Sequence, residues 1–273
     1  MGNKVALVTG ASSGMGRETV LELKKRGFIV YGGARRVDKM KDLENKGIHA
    51  LYLDVTDDAS MVSCVEEIVK KEGRIDVLVN SAGYGSLGAI EDVDIEEARH
   101  QFEVNLFGLG RMCQLVLPVM RKHDYGKIVN ISSMGGRVTT LFGGWYYASK
   151  FAVEGFSDTL RMEAGHFGVD VILVEPGLVK SEWNIIALDR LKKETSKDGA
   201  YAGLSARYGN NLAGMYSKKE VTSPQFIAKT IGEAVTARKP KTRYLIGYCA
   251  KLCVFLNRLI GDRNYDKLIQ KIM

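Results

Sequence analysis

Lys4-Val5-Ala6-Leu7-Val8-Thr9-Gly10-Ala11-Ser12-Ser13-Gly14-Met15-Gly16 is the stretch that decides how this chain folds. Residues 4–9 form a short, continuous apolar run rich in valine, the composition of a strand buried on both faces. Three glycines then fall within seven residues, and a helical pattern follows over residues 15–26. Glycine lets a chain turn tightly and approach an anion, while a helix N-terminus offers unpaired N–H groups and a positive dipole end. Strand, glycine turn and helix in that order build a pyrophosphate cradle. The spacing is G-x-x-x-G-x-G rather than G-x-G-x-x-G, a variant of the dinucleotide turn. Gly10-Ala11-Ser12-Ser13-Gly14 also spells G-x-S-x-G, the nucleophile elbow of serine hydrolases. That elbow needs earlier strands to supply an oxyanion loop, and only one strand precedes this turn.

Further along, short Val/Ile/Leu runs alternate with longer helical patterns. Strands are expected at residues 28–34, 48–53, 75–79, 127–131, 169–174 and 242–247, and helices at 39–45, 59–72, 96–122 and 145–166. This rhythm implies an α/β fold: a Rossmann-type, doubly wound, seven-stranded parallel sheet with helices on both faces. Repeats, low-complexity segments and proline-rich linkers are absent, so residues 1–273 read as a single dinucleotide-binding and catalytic domain. Residues 181–222 break the rhythm with a polar, glycine-containing excursion, the character of a substrate lid. Residues 248–273 form a C-terminal helical extension, whose stretch 249–260 is apolar almost all round apart from Lys251 and Arg258. An apolar helix needs a partner. The lid, another subunit or a membrane surface are the three available, and protein packing is the expectation.

Composition excludes several classes. The chain has 273 residues, 45% hydrophobic and 26% charged, which is ordinary for a globular protein. Its net charge of +7 is scattered, without a long basic run, so it reads as a solvated surface rather than a nucleic-acid face. Cys64, Cys113, Cys249 and Cys253 show no metal or redox spacing and read as reduced thiols; no metal site is expected. No apolar run approaches the length of a membrane span, and the N-terminus runs directly into a strand. A soluble cytoplasmic protein is the expectation.

Within Trp145-Tyr146-Tyr147-Ala148-Ser149-Lys150, Tyr146 and Lys150 are four apart at the start of a helical pattern. Positions i and i+4 share a helix face, so phenol and ammonium point into the same space. A neighbouring cation favours the phenolate and brings a tyrosine toward useful acid–base chemistry. Tyr147 has Phe151 at the equivalent position and lacks such a partner.

The glycine turn, Asn80-Ser81-Ala82-Gly83 after the fourth strand, Ser133 after the fifth, Tyr146-x-x-x-Lys150 and Pro176-Gly177 after the sixth appear in order. Together they resemble the short-chain dehydrogenase/reductase family in its single-domain form. The resemblance covers roughly residues 3–180 by motif and the remainder by pattern. It implies a catalytic group of four. Tyr146 is the general acid/base, and Lys150 tunes it and binds the nicotinamide ribose. Ser133, with Ser132 as its neighbouring competitor, bonds the substrate oxygen. Asn105, expected within the long helix, holds a water for proton relay. The cofactor is implied to contact Gly10, Ser12, Ser13, Gly14, Met15, Gly16, Asp54, Val55, Asn80, Ala82, Gly83, Pro176, Gly177, Val179 and Ser181, besides Tyr146 and Lys150. Ser81 and Ser181 depart from the family, which usually has asparagine and threonine there. Strand two ends in Ala34-Arg35-Arg36 with no acid before Asp38, and an arginine fork suits a 2′-phosphate. NADP(H) is therefore expected over NAD(H), with Arg35 and Arg36 as its readers.

Leu87, Met134, Leu141, Phe142, Trp145, Trp183, Ile185, Ile186, Tyr208 and Met215 are candidate pocket walls, or equally plain core beneath a lid. Such a lining suits an apolar substrate, and the pattern is similar to hydroxysteroid and retinol dehydrogenases. The function implied is an NADP(H)-dependent oxidoreductase interconverting an alcohol and a ketone or aldehyde. A catalytically silent dinucleotide-binding sensor is the alternative, which the intact Asn-Ser-Tyr-Lys set argues against. The resemblance also implies a homodimer or homotetramer, paired through the long helix and the Tyr-Lys helix.

Overall fold

The computed structural model describes residues 3–273. Its first half alternates β1 (Val5–Thr9), α1 (Gly14–Lys25), β2 (Ile29–Ala34), α2 (Lys41–Glu44), β3 (His49–Tyr52), α3 (Asp58–Glu72) and β4 (Val77–Asn80). Then come α4 (Ile95–Phe102), α5 (Gly108–Lys122), β5 (Gly126–Ile131), α6 (Gly144–Gly165) and β6 (Val169–Pro176). The chain closes with α7 (Glu182–Glu194), α8 (Ala202–Tyr216), α9 (Pro224–Thr236), β7 (Arg243–Ile246), α10 (Ala250–Ile260) and α11 (Asp262–Ile272).

The strands make one parallel seven-stranded sheet in the order β3-β2-β1-β4-β5-β6-β7. Its central strands are mostly apolar and buried along their whole length because helices cover both faces. Val20 and Leu23 of α1, Leu43 of α2 and Ile227 and Ile231 of α9 fill one face. Met61 and Ile68 of α3, Met112 and Val116 of α5 and Val153 and Leu160 of α6 fill the other. The expected α/β doubly wound architecture is the one observed.

Strand order reverses direction between β1 and β4, and a crevice opens there outside the carboxyl ends of the strands. The seam is held by Thr9, 1% exposed, whose hydroxyl oxygen accepts from the backbone N–H groups of Ser81 and Ala82, both at 3.0 Å. Gly10 follows at φ +69°, and a β-carbon on it would lie 2.9 Å from the Ala82 α-carbon. One on Gly16 would lie 2.4 Å from the Gly10 carbonyl oxygen. Only a chain without side chains at these points closes this turn.

Several elements depart from expectation. The helix anticipated over residues 96–122 is broken by a π turn, Glu103–Phe107, with Asn105 inside it. Inserted π turns re-aim side chains and often mark functional positions. Residues 224–236, not anticipated as an element, form α9, started by the Ser223 hydroxyl accepting from the Phe226 N–H and by Pro224 in the first turn. The excursion at 181–222 contains α7 and α8, and the C-terminal extension is two helices that part at Gly261, φ +71°. The extension packs on its own chain. Met273 is buried with Leu191, Tyr208 and Leu212, and its carbonyl oxygen accepts from Asn211 Nδ2 at 2.7 Å. No helix among the described residues is long and apolar enough to cross a membrane.

Replacing Thr9 by valine keeps the shape of the side chain and removes the acceptor shared by Ser81 and Ala82. An unsatisfied buried donor costs about 1–3 kcal/mol. Thr9→Val should lower the unfolding free energy by about that amount in urea titrations; an unchanged midpoint would show that the seam does not depend on this hydroxyl.

Candidate active site

The ends of β1, β4, β5 and β6 converge on α6, which delivers Tyr146 and Lys150 one turn apart on the same face. Both are buried. Lys150 Nζ donates to the Ile131 carbonyl at 2.9 Å and sits 6.0 Å from the centre of the Tyr146 ring. Burial pushes the lysine down to about 8, against the opposing pull of Glu154 one turn further along the helix. The Tyr146 phenol is raised well above its ordinary value by burial, which outweighs the hydrogen bond from Ser133 that favours its ionised form. The expected lowering of Tyr146 by Lys150 is therefore not the dominant influence at this geometry.

Ser133 follows β5 at the start of a 3-10 turn, where its hydroxyl oxygen accepts from the Gly135 N–H at 3.0 Å. It bonds Tyr146, whereas the buried hydroxyl of Ser132 has no partner. This separates the two serines that the sequence left adjacent. Asn105 Oδ1 accepts from Tyr84 N at 3.1 Å, and its Nδ2 donates to the Tyr84 carbonyl at 3.0 Å and to Ser149 Oγ at 3.1 Å. Its side chain therefore fastens the loop after β4 to the Tyr-Lys helix. Both Asn105 Oδ1 and Lys150 Nζ lie against Gly83.

Tyr147 turns elsewhere. Its hydroxyl meets Thr140 Oγ1 at 2.5 Å, which also meets the Tyr208 hydroxyl at 3.0 Å. Trp183, from the first turn of α7, leans on the Tyr146 ring with centroids 5.2 Å apart and packs over Gly85. A cavity of about 340 Å³ runs from Ser133 and Tyr146 outward to α8, α10 and α11. Of the anticipated walls, Leu87, Met134, Trp183, Tyr208 and Met215 line it. Phe142 packs behind Tyr208 instead, with ring centroids 5.3 Å apart. Leu141 and Trp145 lie outside the lining, and Ile185 and Ile186 face solvent on the outer side of α7. Leu252, Leu256 and Ile269 of the C-terminal helices supply walls that the sequence reading missed. For Leu252 and Leu256 the signal was the apolar pattern of residues 249–260, which carried no information on what it faced.

The cofactor side is built from the glycine turn. Ser12, Ser13 and Gly14 line a second cavity of about 460 Å³, with Arg17, Lys39, Lys180, Ser181 and Glu182 around it. Arg36 Nη2 donates to Ser12 Oγ at 3.3 Å and Ser13 Oγ at 3.1 Å, so the guanidinium sits on the turn, while Arg35 is exposed beside it. Met15, Pro176, Gly177, Val179 and Ser181 line the first cavity, between the turn and Tyr146. Ala82 is pressed against Gly10. Two expected contacts are committed elsewhere. The Asn80 side chain lies inside the sheet, donating to Asn130 Oδ1 at 2.9 Å, and Asp54 Oδ1 accepts from Thr56 N and Oγ1 at 3.0 and 2.8 Å. Val55 is core, with its carbonyl against Gly108. A turn that any β-carbon would fill, a helix N-terminus and an arginine on two serine hydroxyls fit a phosphorylated dinucleotide. Among the described residues no cluster of His, Cys, Asp and Glu could hold a metal ion.

Comparison with known proteins agrees with this arrangement. A family model described as short chain dehydrogenase matches residues 4–189. The chain is 39% identical over 269 residues to a probable short-chain type dehydrogenase/reductase, VdlC, of Helicobacter pylori, covering 98% of this chain and 97% of that protein. It is 34% identical over 277 residues to the NADPH-dependent 3-dehydrocapnine reductase of Ornithobacterium rhinotracheale, covering 98% and 96%. Identity reaches 47% over 175 residues with the 3-ketodihydrosphingosine reductase of Bacteroides thetaiotaomicron, covering 64% and 63%.

The burial of Lys150 has a measurable signature. Its folded value of about 8 lies below the ordinary lysine value of 10.5, so between those two pH values the unfolded chain binds more protons than the native one. Stability then rises with pH across that window, and the cost of a buried ammonium is fully present below it. Relative to a Lys150→Met variant, the wild type should gain on the order of 2 kcal/mol between pH 8 and pH 10. Parallel stability profiles for the two proteins would contradict a buried, depressed lysine.

Proposed function

The chain belongs to the short-chain dehydrogenase/reductase family, and on that premise we propose that it is an NADP(H)-dependent oxidoreductase interconverting an apolar ketone and its alcohol at Tyr146. The observation that carries this reading is the Tyr146 phenol. It is bonded to Ser133 at the inner end of an apolar cavity, and Lys150 lies on the same helix face. When bound, the nicotinamide supplies or accepts the hydride at the carbonyl carbon. The residues of the chain manage the rest. Ser133 hydrogen-bonds the substrate oxygen, and in the reductive direction Tyr146 gives that oxygen its proton. The raised phenol keeps that proton until the oxygen develops negative charge. Lys150, fixed by the Ile131 carbonyl, holds its positive charge near the ring, which favours the phenolate that remains. Asn105 positions the Tyr84 loop against this helix, and proton replacement through Lys150 is its role toward solvent. Glycine-turn amides and Arg36 hold the dinucleotide phosphates.

Substrate class follows from the cavity wall. Met134, Leu212, Met215, Leu252, Leu256 and Ile269 make it long and apolar, ending at two hydroxyls. Burying an alkyl chain there contributes about 0.8 kcal/mol per methylene. Two relatives are named as reductases of 3-ketodihydrosphingosine and 3-dehydrocapnine, one of them NADPH-dependent, which directs the choice of ketones. Tyr146→Phe should lower reduction of both compounds about 10²–10⁴-fold while leaving NADPH binding intact. Near wild-type turnover in that variant, followed by NADPH absorbance, would overturn the assignment.

The chain acts as a homodimer or homotetramer in this reading. Phe151 and Met162, eleven residues apart on one face of α6, and Phe107 before α5 leave large apolar surfaces exposed. Sedimentation at micromolar concentration should show an oligomer that Phe151→Glu with Met162→Glu dissociates. A wild-type monomer would refute the pairing.

A further inference from the structure

Glu182, at the first position of α7, lies on the opposite bank of the cofactor groove from the end of β2. Its Oε2 accepts from Arg36 Nη2 at 3.1 Å, and Oε1 lies 3.7 Å from Lys39 Nζ. The glycine turn lies between these banks and is bonded from both. Arg36 donates to Ser12 and Ser13, and the Ser13 hydroxyl also bonds the Glu182 carboxylate. Burial works against ionised Glu182, yet Arg36, Lys39 and Ser13 together hold its carboxyl below the usual range. A carboxylate therefore satisfies the cations and hydroxyl best placed to take a phosphate. It also belongs to the helix that carries Trp183 onto Tyr146.

We propose that Glu182 determines cofactor specificity by competing with the 2′-phosphate for Arg36 and Lys39, tying α7 across the groove until the phosphate displaces it. This rests on Arg36 being the reader of that phosphate. The chemistry is exchange of one anion for another on the same donors. A dianionic phosphate offers more charge and more acceptor oxygens than a carboxylate, so it wins at Arg36. NADH lacks the 2′-phosphate and leaves the Glu182–Arg36 pair in place. Glu182 thus taxes the affinity for NADPH while releasing α7 only for the dinucleotide that carries the phosphate. Glu18, Arg17 and Lys180 line the same cavity; the two banks are bridged by Glu182.

Calorimetric titration of NADPH and NADH into the wild type, Glu182→Gln, Arg36→Ala and the double variant tests this without turnover. Arg36 and Glu182 are 44% and 45% exposed, and exposed pairs are weak, so Glu182→Gln should tighten NADPH binding about two- to fivefold. NADH should change less. In the Arg36→Ala background most of the gain should vanish, because the contested donor is gone. Should Glu182→Gln leave NADPH affinity unchanged or weaken it while Arg36→Ala weakens NADPH selectively, the competition is refuted and the phosphate assignment stands. A gain of equal size with and without Arg36 also refutes competition for that donor. Unchanged NADPH affinity in Arg36→Ala removes the phosphate assignment itself, and the proposal with it.

Discussion

The seam between β1 and β4 is the constraint on which this molecule depends. Two parallel strands whose crossovers leave in opposite directions open a crevice at their carboxyl ends, and that crevice must be held together without being filled. Thr9 does this with one hydroxyl oxygen serving two backbone N–H groups, and Gly10 lets the chain pass directly over Ala82. A bulkier join would fill the turn that the proposed function gives to the dinucleotide phosphates. The same closeness brings Gly83 against Asn105 and Lys150, so the glycine turn and the Tyr-Lys helix share one piece of scaffold.

On that scaffold the fold carries ionisable groups where a purely stable core would carry none. Lys150 is buried with the Ile131 carbonyl as its hydrogen-bond partner, and Tyr146 is buried beside Trp183. Behind them, Arg243 bridges Glu154 and Glu175, both at 3.1 Å, while Arg137 holds Glu175 at 3.1 Å. Each buried glutamate still has one oxygen without a partner. Burial and Glu154 push Glu175 up to about 7. Buried charge of this kind costs stability unless it is paired. Its position joins the Ser133 turn, the Tyr-Lys helix and the last two strands.

Much of this was legible in the sequence, for local reasons. Continuous Val/Ile runs fix buried parallel strands, and a strand–glycine–helix succession fixes the turn at Gly10–Gly16 because few residue types fit it. Tyr146 and Lys150 could be placed together since i and i+4 always meet on a helix. What escaped was set by distant contacts. The π turn at Asn105 answers to Tyr84 and Ser149, which periodicity along one helix does not report. Apolar residues of 185–186 and 249–260 read alike, yet Ile185 and Ile186 stand outside the cavity that Leu252 and Leu256 line. Arg36 stood out as a basic residue after β2, but its carboxylate partner is 146 positions away. Asn80 shows the opposite limit: a residue in a recognisable motif whose side chain is spent inside the sheet.

The central claim is that this crevice aligns a nicotinamide with a ketone held at Tyr146, and isotope transfer tests it most directly. NADPH deuterated at the transferable position of its nicotinamide ring should be incubated with the protein and 3-ketodihydrosphingosine, and the product analysed by mass spectrometry. The account predicts one deuterium on the new carbinol carbon and none exchanged into water. An alcohol without deuterium, or no reduction of this or any other apolar ketone by a protein that binds NADPH, would contradict it.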